Sequence, residues 1–246
     1  MFSMVAAVAL VIIMIVAFMP QQTFAGDAVD VATLKDSTTS QYKVSATDPS
    51  TVYWKIVPKY SGYVSFVAKG SKGTVTLCNS SKTAISEDLN VSTSTKTYFG
   101  VKAGKTYFVK AYSTAKQQGD GYFYVNGYYK SYKADDKYGK TKATALSIKA
   151  DTNMYSYFAG GATSAKWYKY YKQTRYISLS FYSYACKDVT AKVYYTLNGK
   201  KNTITLTNGR GKKSAYIRKP LAAKTTVYIK ITPADKYTSG GYRILW

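Results

Sequence analysis

Alternation of apolar and polar side chains is the feature that most limits what this chain can become. In Val227-Tyr228-Ile229-Lys230-Ile231 the aliphatic residues fall on every second position, and Tyr107-Phe108-Val109-Lys110-Ala111 follows the same rule. A period of two belongs to a strand that turns one face to a core, and no window after residue 25 sustains the 3.6-residue period of a long helix. Tyrosine occurs 27 times, and Val, Ile and Thr are frequent, which suits half-buried pleated surfaces. The reading is all-β. It places Trp54, Ile56, Tyr107, Val109, Tyr168, Tyr170, Val227, Ile229 and Ile231 in cores.

The strands also repeat. Val52-Tyr53-Trp54-Lys55-Ile56 is answered by Lys166-Trp167-Tyr168-Lys169-Tyr170, and Gly62-Tyr63-Val64-Ser65-Phe66 by Arg175-Tyr176-Ile177-Ser178-Leu179. Ala103 to Lys110 returns as Ala222 to Lys230, and Gly121 to Val125 as Gly241 to Leu245. Four blocks in one order describe a duplication. Turns are expected at Ser61-Gly62, Lys72-Gly73, Ala103-Gly104, Asn198-Gly199 and Asn208-Gly209, and Asn198-Gly199 between two alternating runs is a hairpin signal. Short strands with such turns make two tandem antiparallel β-sandwich, jelly-roll-like domains. Residues 26–129 form the first, the polar stretch 130–142 a linker, and 143–246 the second.

Residues 4–19 carry no charge, and Pro20 and two Gln precede Thr23-Phe24-Ala25. An apolar core followed by small residues reads as a signal peptide, residues 1–25, removed on export. The run falls short of the roughly 20 residues of a spanning helix. Lys and Arg are absent ahead of it, so retention as a membrane anchor through residues 4–19 stands as the alternative. The location is secreted or extracellular in the first case.

At these residues the chain resembles the bacterial pre-peptidase C-terminal domains, small β-sandwiches appended to many secreted proteins. The resemblance rests on the opening strands Tyr53-Trp54-Lys55-Ile56 and Trp167-Tyr168-Lys169-Tyr170, the late strand Ala103 to Ala111, and the closing strands Gly121 to Val125 and Gly241 to Leu245. It covers most of residues 30–246. The family's Asp before the opening strand is missing in both copies, so no role of that position carries over.

Chemistry is constrained by an absence. The chain has no histidine, which removes Ser-His-Asp and Cys-His catalysis and histidine-based zinc sites. Glu87 is the single glutamate, and most Asp residues sit in turns or polar stretches such as Asp135-Asp136, a poor supply for a paired-carboxylate hydrolase. No catalytic residue and no metal ligand is assigned, and the chain is read as non-enzymatic. For calcium, Glu87-Asp88 with Asn90, and Asp27 with Asp30, are the best oxygen clusters, but neither has the spacing of a dedicated loop. No cofactor is expected.

Lys and Arg number 35 against 12 Asp plus Glu, a net charge of +23 that lies wholly after residue 25. Such a field attracts polyanions. Tyr-rich strands add rings on which sugars stack. The ligand-binding candidates are therefore Tyr122, Tyr124, Tyr128, Tyr129, Tyr171, Lys110 and Lys230. The expected partners are acidic glycans, teichoic-acid-like polymers or another surface protein. No nucleic-acid motif accompanies the charge. Cys78 and Cys186 admit one disulfide, which would join the two halves, or two buried thiols. Two other functions stand beside the binding module: a structural spacer or folding accessory in a secreted system, and an extracellular hydrolase of unfamiliar type.

Overall fold

A computed structural model describes residues 29–44, 51–113, 123–149, 152–172, 176–208, 213–220 and 224–245. The apolar segment 4–19, its cleavage site and Asp27 lie outside the described residues. Those described are folded as strands joined by turns and loops. The first half holds β1 (Val29–Leu34), β2 (Thr39–Val44), β3 (Val52–Ile56), β4 (Gly62–Cys78), β5 (Leu89–Val101), β6 (Tyr107–Ser113) and β7 (Phe123–Lys133). The second holds β8 (Leu146–Ser147), β9 (Asn153–Phe158), β10 (Lys166–Lys172), β11 (Tyr176–Ala185), β12 (Val189–Leu197), β13 (Lys200–Asn208), β14 (Lys213–Pro220), β15 (Thr225–Pro233) and β16 (Gly240–Leu245). No helix among them is long and apolar enough to cross a membrane.

The two halves share a strand order. In the second half one sheet runs β13-β12-β15-β10-β8 and the other β14-β11-β16-β9. Counted from β9 as the first strand, these are the 5-4-7-2 and 6-3-8-1 orders of an eight-stranded jelly roll, with β8 added in parallel beside β10. The first half has the same order in fewer, longer strands. The early part of β4 pairs with β7 and its later part with β6, while β5 follows β4 across both sheets. β1 lies parallel to β3, as β8 does to β10. Register agrees too: Trp54 faces Val109 on the neighbouring strand, and Tyr168 faces Ile229.

Each half has a core between its sheets, and Cys186 of the second half packs into the first. Trp54, Ile56, Val64, Phe66, Leu77, Phe99 and Val109 fill the first, and Tyr168, Phe181, Val193, Val227, Ile229, Tyr242 and Ile244 the second. All nine residues assigned to cores by alternation are buried. The Asn198-Gly199 hairpin has the expected left-handed pair, φ 48° and 73°, which matches the twist of the strands it joins.

Two expectations are corrected. Lys72-Gly73 is not a turn, because β4 continues through it with a register shift between Gly70 and Gly73. A bulge bends the strand from one sheet into the other, where the second half breaks the chain between β11 and β12. Nor is 130–142 a free linker. Lys130 to Lys133 complete β7, Tyr132 stacks on Tyr63 at 5.0 Å, and Gly139 and Trp167 exchange two backbone hydrogen bonds of 2.9 Å.

Candidate ligand-binding face

Alternation in the five-stranded sheet of the second half sends Tyr168, Tyr170, Val193, Val227 and Ile229 inward. Their neighbours Trp167, Lys169, Tyr171, Lys192, Tyr194, Tyr228 and Lys230 must then stand on the outer face. Register sorts them into rows. One row crosses the sheet as Thr205, Lys192, Lys230 and Trp167, and the next as Thr203, Tyr194, Tyr228, Lys169 and Ser147.

The rings of these rows touch. Trp167 and Tyr194 stack with centroids 5.6 Å apart and planes 22° apart. Lys230 Nζ lies 5.6 Å from the Trp167 ring, and Lys142 reaches in from the preceding loop to 4.7 Å from the Tyr228 ring and 5.5 Å from that of Tyr194. Tyr171 is 53% exposed and borders a depression of about 340 Å³ shared with Lys169, Thr226 and Tyr228.

The electrostatics of this face are one-sided. None of the strands β8, β10, β12, β13 and β15 contains an Asp or Glu. Lys192 nevertheless sits directly opposite Lys230, a like-charge pairing that works against the sheet. The Trp167 ring beneath Lys230 offsets part of that, about 0.5–1 kcal/mol for an exposed cation over an aromatic ring. The rest is a standing attraction for an anion.

The first half carries the same face with different chemistry. Tyr53 and Lys110 pair as Trp167 and Lys230 do, and Thr76 takes the place of Lys192. Here carboxylates are present. Asp88 accepts hydrogen bonds from the hydroxyls of Thr76 and, at 2.6 Å, of Tyr112. Lys82 pairs with Asp30 at 2.7 Å while lying 4.7 Å over the Tyr53 ring.

The residues singled out from sequence fall in several places. Lys110 and Lys230 occupy equivalent positions on the two outer faces, and Tyr171 is exposed beside the second. Tyr128 is half-buried in β7. Tyr129 is corrected from ligand candidate to core residue: it is 1% exposed, because the alternation of β7 turns it inward opposite Phe66, and its hydroxyl donates to the Val57 carbonyl at 3.4 Å. Tyr122 lies outside the described residues, and of Tyr124 only the backbone, within β7, is described. Sequence reasoning missed Trp167, Tyr194, Tyr228, Lys142 and Lys192. For Trp167 the signal was there, since inward Tyr168 and Tyr170 force it outward; Lys192 meets Lys230 only through strand order.

Cys78 and Cys186 are separate buried thiols and form no disulfide. Burial pushes the Cys78 thiol up to about 11 and raises that of Cys186, whose Sγ donates to the Tyr237 carbonyl at 3.3 Å. Glu87 and Asp88 point to different neighbours, Lys187 at 4.0 Å and the Thr76–Tyr112 pair, so these two carboxylates do not converge. Among the described residues no three His, Cys, Asp or Glu gather as a metal site. Lys166 is buried among the Tyr138, Tyr157 and Phe158 rings. Its ammonium donates to Asp136 at 3.2 Å and Ser156 at 3.4 Å, and desolvation lowers its pKa.

No protein-family model matches the sequence, and no curated protein does. Among solved structures, the CBM22-1-CBM22-2 tandem domain of Paenibacillus barcinonensis Xyn10C is similar over 84% of this chain and 83% of its own, at 10% identity and a TM-score of 0.28. Tripeptidyl peptidase 2 is similar over 87% of this chain and 24% of its own, at 8% identity and a TM-score of 0.32. The tandem CBM51 modules of Sp3GH98 from Streptococcus pneumoniae are similar over 83% and 81%, at 8% identity and a TM-score of 0.25.

Proposed function

We propose that the chain is an exported, non-catalytic pair of β-sandwich domains that binds an acidic glycan on the outer face of the second half's five-stranded sheet. The observation that carries this reading is the Trp167–Tyr194 stack bordered by Lys142, Lys192 and Lys230 on a sheet whose strands hold no carboxylate. A pyranose packs its C–H face on a ring, while ammonium groups hold the acidic substituent. The full net charge of +23 draws a polyanion toward the surface, and rings and lysines then select what stays. The apolar segment 4–19 and the resemblance to pre-peptidase C-terminal domains belong to the same reading, with the chain working outside the cytoplasm. The absence of histidine belongs to the same reading, since it removes the Ser-His-Asp and Cys-His schemes.

A glycan array probed at low and high salt tests it. Acidic glycans are expected to bind at low salt and to weaken as salt rises, because exposed charges are screened over about 8–10 Å at physiological ionic strength. Silence toward every glycan at both salts would remove the binding function and leave the spacer role.

A further inference from the structure

We propose that the Lys192–Lys230 row is a carboxylate subsite, so that the glycan carries uronic acids and one such site is open per chain. This rests on the glycan-binding reading and names the group that the face selects. The molecule supplies its own precedent. In the first half the equivalent row is Thr76–Lys110, set by the same strand order, with Leu77 facing Val109 where Val193 faces Ile229. That row already holds a carboxylate. The two oxygens of Asp88 are taken one each by Thr76 and Tyr112, and the Lys110 ammonium stands 4.7 Å from the Tyr112 ring.

Loop length explains why only one half is filled. Between β4 and β5 the chain makes a long connection, 79–88, which folds back over Cys78 and delivers Asp88 to the row. Between β12 and β13 it makes the tight Asn198-Gly199 turn, which reaches no further than the sheet's end and carries no acid. The row there keeps two adjacent ammonium groups, with Thr232 at the position of Tyr112. A carboxylate has two oxygens to offer two lysines. When the carboxylate is borne on the sugar ring itself, as in a uronic acid, the same residue places its ring toward Trp167, the next member of the row. Stacking and ion pairing then act on a single sugar.

Isothermal titration of the full chain with an oligogalacturonate is the test, with its methyl ester, dextran sulfate and polyphosphate as comparison ligands. The oligogalacturonate is expected to bind with one site per chain, and the methyl ester about tenfold or more weakly, since a charge-assisted hydrogen bond is lost with each oxygen's charge. Lys192→Gln and Lys230→Gln should each weaken the oligogalacturonate about tenfold without lowering Tm, since either change also relieves the like-charge pairing, whereas Lys110→Gln should leave the affinity unchanged. Equal binding of acid and ester would overturn the subsite while leaving a ring-based glycan site. Equal losses in all three lysine variants would overturn it in favour of diffuse charge, and so would dextran sulfate or polyphosphate binding where oligogalacturonate does not. Failure of all these ligands together with a blank glycan array would remove the binding function itself.

Discussion

Gly100 and Phe158 meet backbone to backbone: a methyl group on the Gly100 Cα would stand 1.7 Å from the Phe158 carbonyl oxygen. Gly100 belongs to β5 of the first half and Phe158 to β9 of the second, so the approach fixes one half against the other. Polar groups close the junction, with the Gly100 amide donating to Ser239 Oγ at 2.8 Å and the Gly160 amide to the Gly100 carbonyl at 3.3 Å. The Tyr63 ring adds to it, sandwiched between Tyr132 and Tyr184 of the other half. Neither backbone can withdraw without breaking these bonds. Gly100→Ala is therefore expected to destabilise by about 1–3 kcal/mol, as overpacking does. In a chain of this size each kcal/mol lowers Tm by about 2–4 °C. Thermal unfolding of the variant checks it; an unchanged Tm would mean that the two halves are not held by this contact.

Alkaline pH should unfold the protein early. Burial pushes the hydroxyls of Tyr63, Tyr157 and Tyr168 up to about 12 from an ordinary value of 10.0. Between those values the folded chain keeps protons that the unfolded chain has released, so stability falls as pH rises through the window. Below pH 10 their contribution is fully present. Lys166 acts in the opposite sense, since its lowered pKa means that folding gains as pH climbs toward the unfolded value, but one lysine stands against several tyrosines. Urea midpoints are expected to hold level up to about pH 10 and to drop between about 10 and 12. The part of the tyrosinate absorbance that comes from the buried hydroxyls should appear in step with unfolding, after that of the exposed rings. A level midpoint through pH 12 would contradict the burial of these hydroxyls.

Much of this was readable from periodicity. A side chain on every second residue of β6, β10 or β15 has one face available, so Val109, Tyr168 and Ile229 declare themselves without knowledge of the rest. The repeat of the blocks likewise reports that the two halves share one arrangement of strands, without saying which strands are neighbours. Periodicity fails where a contact depends on which strands are neighbours. Lys192 and Lys230 are far apart in sequence and face each other because β12 lies beside β15. It also fails at bends: Lys72-Gly73 has turn chemistry, yet β4 passes through it because pairing with β5 resumes past the bulge. Tyr129 was misread because consecutive tyrosines hide the phase of the strand, and only its partner Phe66 settles which ring turns inward.

The thiols should be silent in the native state. With Cys78 buried and pushed up to about 11, and Cys186 buried within the first half's core cluster, almost no thiolate exists near neutral pH and no reagent reaches it. Ellman's reagent at pH 8 is expected to detect no thiol in the folded protein and, after denaturation without reductant, both Cys78 and Cys186. Detection of none in the denatured chain would reveal a disulfide.

Ring and charge on the binding face can be separated by salt. Trp167 stacks on Tyr194 at 5.6 Å, and what it offers a sugar is an apolar surface whose attraction does not depend on ionic strength. Lys142 is exposed and offers charge, which salt screens. Trp167→Ala is expected to weaken acidic-glycan binding several-fold to about tenfold, the range of one aromatic contact, by the same factor at low and high salt. Lys142→Ala should weaken it at low salt, with the loss shrinking toward nothing as the salt is raised. Tyr53→Ala, at the equivalent position in the first half, should leave affinity unchanged, because Asp88 already holds the anion place on that row. Titrations of the three variants at two salt concentrations distinguish these outcomes, and a Trp167→Ala loss that disappears at high salt would move the ring from sugar contact to mere support of the Lys230 side chain.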